Sequence, residues 1–145
     1  MKRIMFIGKS GCGKTTLIQS LQKLPQEYKK TQTVETVGTA IDTPGEYMER
    51  KNLFFALTVT AMDAEQILFV IDCTDDMTTF MPGMNGFFCC PVAGAVTKID
   101  CAASRQSIEN AKDQLSVAGA GKIFCVSSVT GEGMDALRRY LLQPV

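Results

Sequence analysis

Short, continuous apolar runs alternate along this chain with longer stretches whose apolar residues recur at helical spacing. Ile4-Met5-Phe6-Ile7 ends at Gly8 and predicts a buried strand over 3–7. From Lys14 to Leu24 the apolar residues Leu17, Ile18, Leu21 and Leu24 fall on one helical face, and Pro25 ends the helix. Residues 26–39 are polar and threonine-rich and read as loop, leading into a short strand at 39–42 and the turn Asp42-Thr43-Pro44-Gly45. A helix is expected from Glu49 to Ala64, then an unbroken apolar strand over 66–71. A Met-, Phe- and Gly-rich segment runs to Cys90. Strands at 91–96 and 122–126 then alternate with helices at 104–118 and 134–142. Strands alternating with helices predict βαβ units and a mostly parallel five-stranded sheet covered on both faces, whose ligands bind at the carboxyl ends of the strands.

Composition narrows the picture. The 145 residues fit a single domain, 1–145. Fifteen Lys and Arg balance fifteen Asp and Glu, so no basic excess points to nucleic acid as a partner. No apolar run is long enough to cross a bilayer. With no histidine, neither a His base nor a His-ligated metal is available. Six cysteines contain no C-x-x-C pair, and no signal peptide precedes the first strand, so reduced thiols in the cytoplasm are expected.

Four motifs stand at strand ends. Gly8-Lys9-Ser10-Gly11-Cys12-Gly13-Lys14-Thr15, followed by Thr16, matches G-x-x-x-x-G-K-[ST] in full. Its glycines let successive N–H groups turn inward as an anion nest, and the following helix adds its positive end. Lys14 can reach β- and γ-phosphates, and the Thr15 hydroxyl can ligate Mg²⁺. Asp42 can hold the same ion, commonly through water, and the Gly45 N–H can meet a γ-phosphate. In Thr97-Lys98-Ile99-Asp100, the Asp100 carboxylate can accept from N1–H and the 2-amino group of guanine, where adenine offers an acceptor and no donor. The Lys98 stem can pack along the base. Ser127 and Ser128 can contact the base or ribose. The bland readings of the last three motifs are a plain turn, a helix cap and a polar loop.

In this order the motifs resemble the small GTPase pattern of P-loop G domains. The opening Met-Lys-Arg-Ile-Met-Phe-Ile-Gly, the stretch Tyr28-Lys29-Lys30-Thr31-Gln32 and Ile41-Asp42-Thr43-Pro44-Gly45-Glu46-Tyr47 resemble the EutP/PduV family of ethanolamine- and propanediol-utilisation proteins. The resemblance implies a three-layer P-loop NTPase fold and association with a bacterial microcompartment, with shell or enzyme proteins as partners. For EutP members it also implies ATP binding and acetate kinase activity.

Several departures from Ras-like domains shape the expectations. Only 17 residues, Pro25 to Ile41, precede Asp42, too few on this reading for a switch loop plus the extra antiparallel strand, which is expected to be absent. The switch threonine for Mg²⁺ is left open among Thr31, Thr33 and Thr36. Glu46 stands where Ras-like enzymes place a water-orienting glutamine, and is a catalytic candidate with Lys14 and Thr15. Thr97 replaces the usual asparagine.

The expected activity is Mg²⁺-dependent binding of GTP and GDP with slow hydrolysis. One alternative is ATP-dependent acetate phosphorylation, with Lys9 or Arg50 as the acetate cation. Another is a non-catalytic adaptor presenting the apolar segment 77–88 to a protein partner, against which stands the expectation that Phe87 and Phe88 simply enter the core.

Overall fold

The computed structural model describes residues 3–9, 11–22, 35–37, 40–45, 47, 50–75 and 80–142. Along these run β1 (Ile4–Ile7), α1 (Lys14–Leu21), β2 (Glu35–Val37), β3 (Ala40–Asp42), α2 (Lys51–Thr60), β4 (Gln66–Asp72), β5 (Val92–Thr97), α3 (Arg105–Val117), β6 (Ile123–Cys125) and α4 (Met134–Leu142). Short 3₁₀ turns lie at Ala61–Asp63, Met84–Phe87 and Ile99–Cys101.

The strands form one sheet in the order β2-β3-β1-β4-β5-β6. The five predicted strands are all present and mutually parallel, with β1 between β3 and β4. Because side chains alternate across a strand, each continuous apolar run feeds two cores. Met5, Ile7, Ile67, Phe69 and Ile71 pack on one face with Leu57 of α2 and Ala111 and Leu115 of α3. Ile4, Phe6, Leu68, Val70, Ala93 and Ala95 pack on the other with Leu17 and Ile18 of α1 and Leu137 and Leu141 of α4. That explains why these strands carry no polar alternation: both faces are covered. Gly94 marks the tightest helix approach, since a Cβ there would lie 2.9 Å from a Leu115 methyl.

One expectation is corrected. The segment before Asp42 does hold an antiparallel strand: Glu35, Thr36 and Val37 pair with Asp42, Ile41 and Ala40. The count of 17 residues misled because the strand needs only three of them, and Gly38 and Thr39 alone separate it from β3, the two-residue spacing of a tight hairpin. Thr36 is therefore a strand residue, while Thr31 and Thr33 lie outside the described residues.

The Met/Phe segment is likewise mostly core. Phe80 stacks on Phe69 with ring centroids 4.7 Å apart, Phe88 meets the same ring edge-on at 6.0 Å, and Met84 is fully buried. Phe88 thus enters the core as expected, whereas Phe87 stays largely exposed. The adaptor reading loses Phe80 and Met84 from its surface; Met77, Thr78 and Thr79 lie outside the described residues.

The predicted second helix is trimmed to Lys51–Thr60, its last turn tightening to 3₁₀ at Ala61–Asp63. Among the described residues no helix is long and apolar enough to cross a membrane.

Candidate nucleotide-binding site

Residues 8–15 link β1 to α1 at the carboxyl edge of the sheet, where the chain passes from β1 first to β3 on one side and then to β4 on the other. This is the topological switch point, where open α/β sheets place their ligands. Gly11 and Gly13 take left-handed conformations, φ +80° and +92°, which only glycine adopts at little cost. Gly8 is required for a different reason: a Cβ would sit 2.6 Å from the Val70 carbonyl and 2.7 Å from Cys12 Sγ. The Lys14 ammonium folds back over the loop and donates to the Gly8 carbonyl at 2.9 Å. The Cys12 thiol is buried beneath the loop, and that burial pushes its pKa up, outweighing the lowering effect of Lys14; it stays protonated.

Thr15, in the first turn of α1, donates its hydroxyl to Asp42 Oδ2 at 2.7 Å. Asp42 ends β3 beside it, buried, and the adjacent Thr43 hydroxyl fixes the turn by donating to the Phe6 carbonyl at 2.8 Å. A hydroxyl and a carboxylate in contact are the hard oxygen donors Mg²⁺ takes, and an ion that keeps its waters and leans on phosphate needs few protein ligands. Two such donors fit an ion whose remaining ligands are water and phosphate.

On the other side of the loop, the Thr97 hydroxyl donates to the Cys12 carbonyl at 2.6 Å, with the Ile71 carbonyl at 3.2 Å. Threonine in place of asparagine therefore still ties β5 to the phosphate loop. Lys98 occupies a left-handed conformation, φ +60°, rare for a side chain of its size. Its ammonium donates to the Gly11 carbonyl at 2.9 Å and pairs with Asp72 Oδ2 at 2.9 Å. Burial alone would lower the Lys98 pKa, but the hydrogen bond and charge of Asp72 outweigh it and the net shift is upward. Asp100 is exposed, and its Oδ1 accepts from the Ser127 hydroxyl at 2.8 Å, a bond that holds its carboxyl below the usual carboxylate range. Ser127 in turn accepts from the Thr130 N–H at 3.1 Å.

The structure thus brings Gly8, Gly11, Cys12, Gly13, Lys14, Thr15, Asp42, Thr97, Lys98, Asp100 and Ser127 around one sheet edge. Thr16 follows in α1, Gly45 lies buried in the turn after Asp42, and Ser128 follows Ser127. Ser10 and Glu46 lie outside the described residues. Lys9 turns away to Asp75, 3.2 Å distant, and Arg50 is exposed at the start of α2. Sequence reasoning passed over Asp72. A carboxylate ending an apolar run, at the same sheet edge as the four motifs, was the signal available.

A family model described as ethanolamine utilisation – propanediol utilisation, PduV-EutP, matches residues 1–143. "Propanediol utilization protein PduV" of Citrobacter freundii is 42% identical over 141 residues, covering 97% of this chain and 93% of that one. "Probable acetate kinase EutP" of Escherichia coli K12 is 39% identical over 85 residues, 58% of this chain and 54% of that one. Among solved structures, Era in complex with MgGDPNP and part of 16S ribosomal RNA superposes with a TM-score of 0.71 at 20% identity, covering 99% of this chain. A variant of Aquifex aeolicus Era bound to GDP·AlF4⁻ gives 0.68 at 21% identity, covering 100%. This chain spans just under six-tenths of those Era chains, 58% and 59%. The fold is accordingly that of the P-loop GTPases, and the chain belongs to the PduV–EutP family of ethanolamine and propanediol utilisation.

Proposed function

We propose that this protein binds guanine nucleotides with Mg²⁺, hydrolyses GTP slowly, and serves propanediol or ethanolamine catabolism at a bacterial microcompartment, with shell or enzyme proteins as partners. The observation that carries the guanine reading is Asp100, an ionised acceptor held by Ser127 two residues beyond Lys98, which is itself anchored to the phosphate loop. A carboxylate there complements the N1–H and 2-amino donors of guanine and would meet an unpaired acceptor on adenine.

The residues have separable roles. Backbone N–H groups of Gly11 to Thr15 and the N-terminus of α1 receive phosphate oxygens. Lys14 leaves the Gly8 carbonyl to pair with the outer phosphates, exchanging a neutral acceptor for an anionic one. Thr15 and Asp42 would hold Mg²⁺, which when bound would supply neutralisation of the charge that builds on the transferred phosphoryl group. No arginine among these residues is placed to stabilise that charge. A cation supplied by a partner is worth about 10³–10⁵ in rate, so hydrolysis by the isolated protein is slow. The balanced charge of the chain gives no footprint for RNA, which Era binds.

The similarity to the EutP protein favours a second reading, phosphoryl transfer between ATP and acetate. It needs adenine in the base site and a cation for acetate. Lys9 would first have to leave Asp75.

Calorimetric titration with GDP and ATP, with Mg²⁺ present, decides between them on wild type and Asp100→Ala. A GDP preference lost in the variant supports the guanine reading. Equal or tighter ATP binding untouched by the substitution overturns it, and acetate-dependent ADP formation that disappears in Lys14→Ala would then establish the kinase.

A further inference from the structure

Strand β4 ends in Asp72, and the next residue, Cys73, belongs to the buried core. Its N–H continues the β4–β5 ladder, donating to the Thr97 carbonyl at 3.2 Å just past the Asp72–Thr97 pair that closes the register. There the parallel pairing stops, because β5 ends at Thr97 and Lys98 turns left-handed, φ +60° and ψ +34°. Successive carbonyls of a strand point to opposite sides. In a helical conformation of either hand they point the same way. Lys98 therefore swings its carbonyl to the side that Thr97's already faces, towards Cys73. The Cys73 thiol meets it, donating to the Lys98 carbonyl at 3.2 Å. One residue thus receives two consecutive carbonyls, the first on its N–H and the second on its side chain.

The same Lys98 oxygen has a second donor. The Cys101 N–H reaches it at 2.8 Å and closes the 3₁₀ turn Ile99–Cys101, which carries Asp100. A carbonyl has two lone pairs, and here a thiol from the end of β4 and an amide of the Asp100 turn take one each. Asp72 and Cys73 accordingly hold Lys98 at both ends, the carboxylate on its ammonium at 2.9 Å and the thiol on its carbonyl. A left-handed residue other than glycine persists where its surroundings over-determine it, and these contacts do so. Packing alone does not ask for a thiol: alanine or valine would also suit an apolar corner of the core, but would leave the Lys98 carbonyl a donor short. Burial first, and then the Asp72 charge, raise the Cys73 pKa, so the sulfur keeps the proton that it donates.

We propose that Cys73 is a positioning residue of the base site, its thiol fixing the Lys98 carbonyl and through it the turn that presents Asp100. It acts through Lys98 and Asp100, not on the nucleotide itself. The proposal rests on the reading of Asp100 as the acceptor for the base, and adds a residue that neither motif nor strand pattern marks.

Three variants separate donation from packing: Cys73→Ser keeps a hydrogen-bond donor, Cys73→Val fills the space without one, and Cys73→Ala does neither. Each is titrated, with Mg²⁺ present, against GDP, inosine diphosphate (which lacks the 2-amino group) and pyrophosphate. Wild type should prefer GDP to inosine diphosphate by about tenfold, the effect of one hydrogen bond to a charged acceptor. Cys73→Ala and Cys73→Val should lower that preference to about threefold or less, and Cys73→Ser should keep it within about twofold of wild type. Pyrophosphate affinity should stay within about twofold of wild type in all three, the mark of an intact phosphate loop. Amide exchange without nucleotide reads the turn directly. Relative to an amide in the middle of β4, the Cys101 N–H should exchange about threefold or more faster in the alanine and valine variants and at the wild-type rate in the serine variant. In a protein that discriminates the two nucleotides, a preference or an exchange rate left at its wild-type value in both Cys73→Ala and Cys73→Val overturns the proposal. So does an equal loss in Cys73→Ser, which would make volume the cause, or a loss of pyrophosphate affinity as large as the loss for GDP, which would make it general damage. Wild type that binds both nucleotides alike overturns the guanine reading instead, and the Cys101 exchange rate alone then decides whether the thiol holds the turn.

Discussion

The Lys98 ammonium lies 2.9 Å from an Asp72 carboxylate oxygen and 2.9 Å from the Gly11 carbonyl, so one side chain ties the end of β4 to the phosphate loop. Asp72 is itself fixed, its other oxygen accepting from the Thr74 N–H at 2.8 Å and the Thr74 hydroxyl at 2.7 Å. This carboxylate holds the Lys98 ammonium against the phosphate loop.

Removing it should be felt in both stability and binding. Asp72→Ala strands the Thr74 donors and frees Lys98. The expected cost is about 1–2 kcal/mol in urea denaturation, discounted because Lys98 is partly exposed, with GDP affinity falling by about tenfold. Asp72→Asn keeps one acceptor oxygen, which can serve Thr74, but turns an NH2 donor toward the Lys98 ammonium, so it should recover only the Thr74 share of the stability. Because the pair raises the Lys98 pKa, its contribution is fully present below the ordinary lysine value and is lost as pH rises through the raised one. Stability conferred by the pair should therefore be level through neutral pH. An Asp72→Ala protein with wild-type denaturation midpoint and GDP affinity would remove the positioning role.

Asp100 offers a pH test of the base site. The Ser127 hydrogen bond is the main cause of its lowered pKa, ahead of the smaller opposing effect of desolvation. A depressed carboxylate contributes fully above its ordinary pKa of 3.8 and is lost only as pH falls through the lowered value. GDP affinity should then stay level down to about pH 5 in wild type. In Ser127→Ala the carboxyl returns toward its ordinary range, so affinity should begin to fall at a higher pH than in wild type. Parallel pH profiles for the two proteins would show that the Ser127–Asp100 bond plays no part in binding.

Much of this arrangement was legible before any coordinates, and the reason is periodicity. Runs such as Ile67 to Ile71 are apolar without a break because both sheet faces are covered, and such runs mark parallel strands regardless of register. The phosphate loop was legible because its glycines answer to backbone conformation at fixed spacing. β2 was hidden because three residues, Glu35 to Val37, show too little periodicity to register. Phe80 and Met84 were misleading in a different way: they sit in an irregular segment, and their burial is set by core residues distant in sequence, Phe69 in the case of Phe80. Asp72 was missed because its partners, Thr74 apart, are distant in sequence, Lys98 lying 26 residues on. Local pattern reports which faces are covered; it does not report which polar atoms meet.

Thiol reactivity probes the same packing. Cys12 and Cys73 are buried, while Cys89 and Cys101 are exposed. Desolvation is the leading cause of the raised pKa at both Cys12 and Cys73. At Cys101 the leading cause is its hydrogen bond to Asp100, 3.5 Å away, so exposure alone overstates its reactivity. Since the thiolate is the reactive form, timed iodoacetamide labelling near neutral pH, read by mass spectrometry, should find Cys89 first, Cys101 later, and Cys12 and Cys73 last. Asp100→Asn should speed Cys101 and leave Cys89 unchanged. Cys12 labelled as fast as Cys89 in folded protein would contradict the closed phosphate loop.

Three glycine-to-alanine substitutions separate space from backbone conformation. At Gly8 the new methyl would meet the Val70 carbonyl at 2.6 Å and Cys12 Sγ at 2.7 Å. The first is backbone of a central strand paired on both sides and cannot retreat, so β1 or the loop must shift. Overpacking of this kind costs about 1–3 kcal/mol, and displacing the Gly8 carbonyl also removes the acceptor that holds Lys14. Gly11 has open space around its Cβ position but sits at φ +80°, so alanine there should cost about 1–2 kcal/mol through conformation alone. Gly86 has open space and no such φ, and its alanine variant should be within about 0.5 kcal/mol of wild type. Urea denaturation should therefore separate Gly8→Ala and Gly11→Ala from Gly86→Ala. GDP titration should show affinity lost in the first two and kept in the third. A Gly8→Ala protein as stable as Gly86→Ala would mean that the close approach of β4 to the phosphate loop is not a constraint on this site.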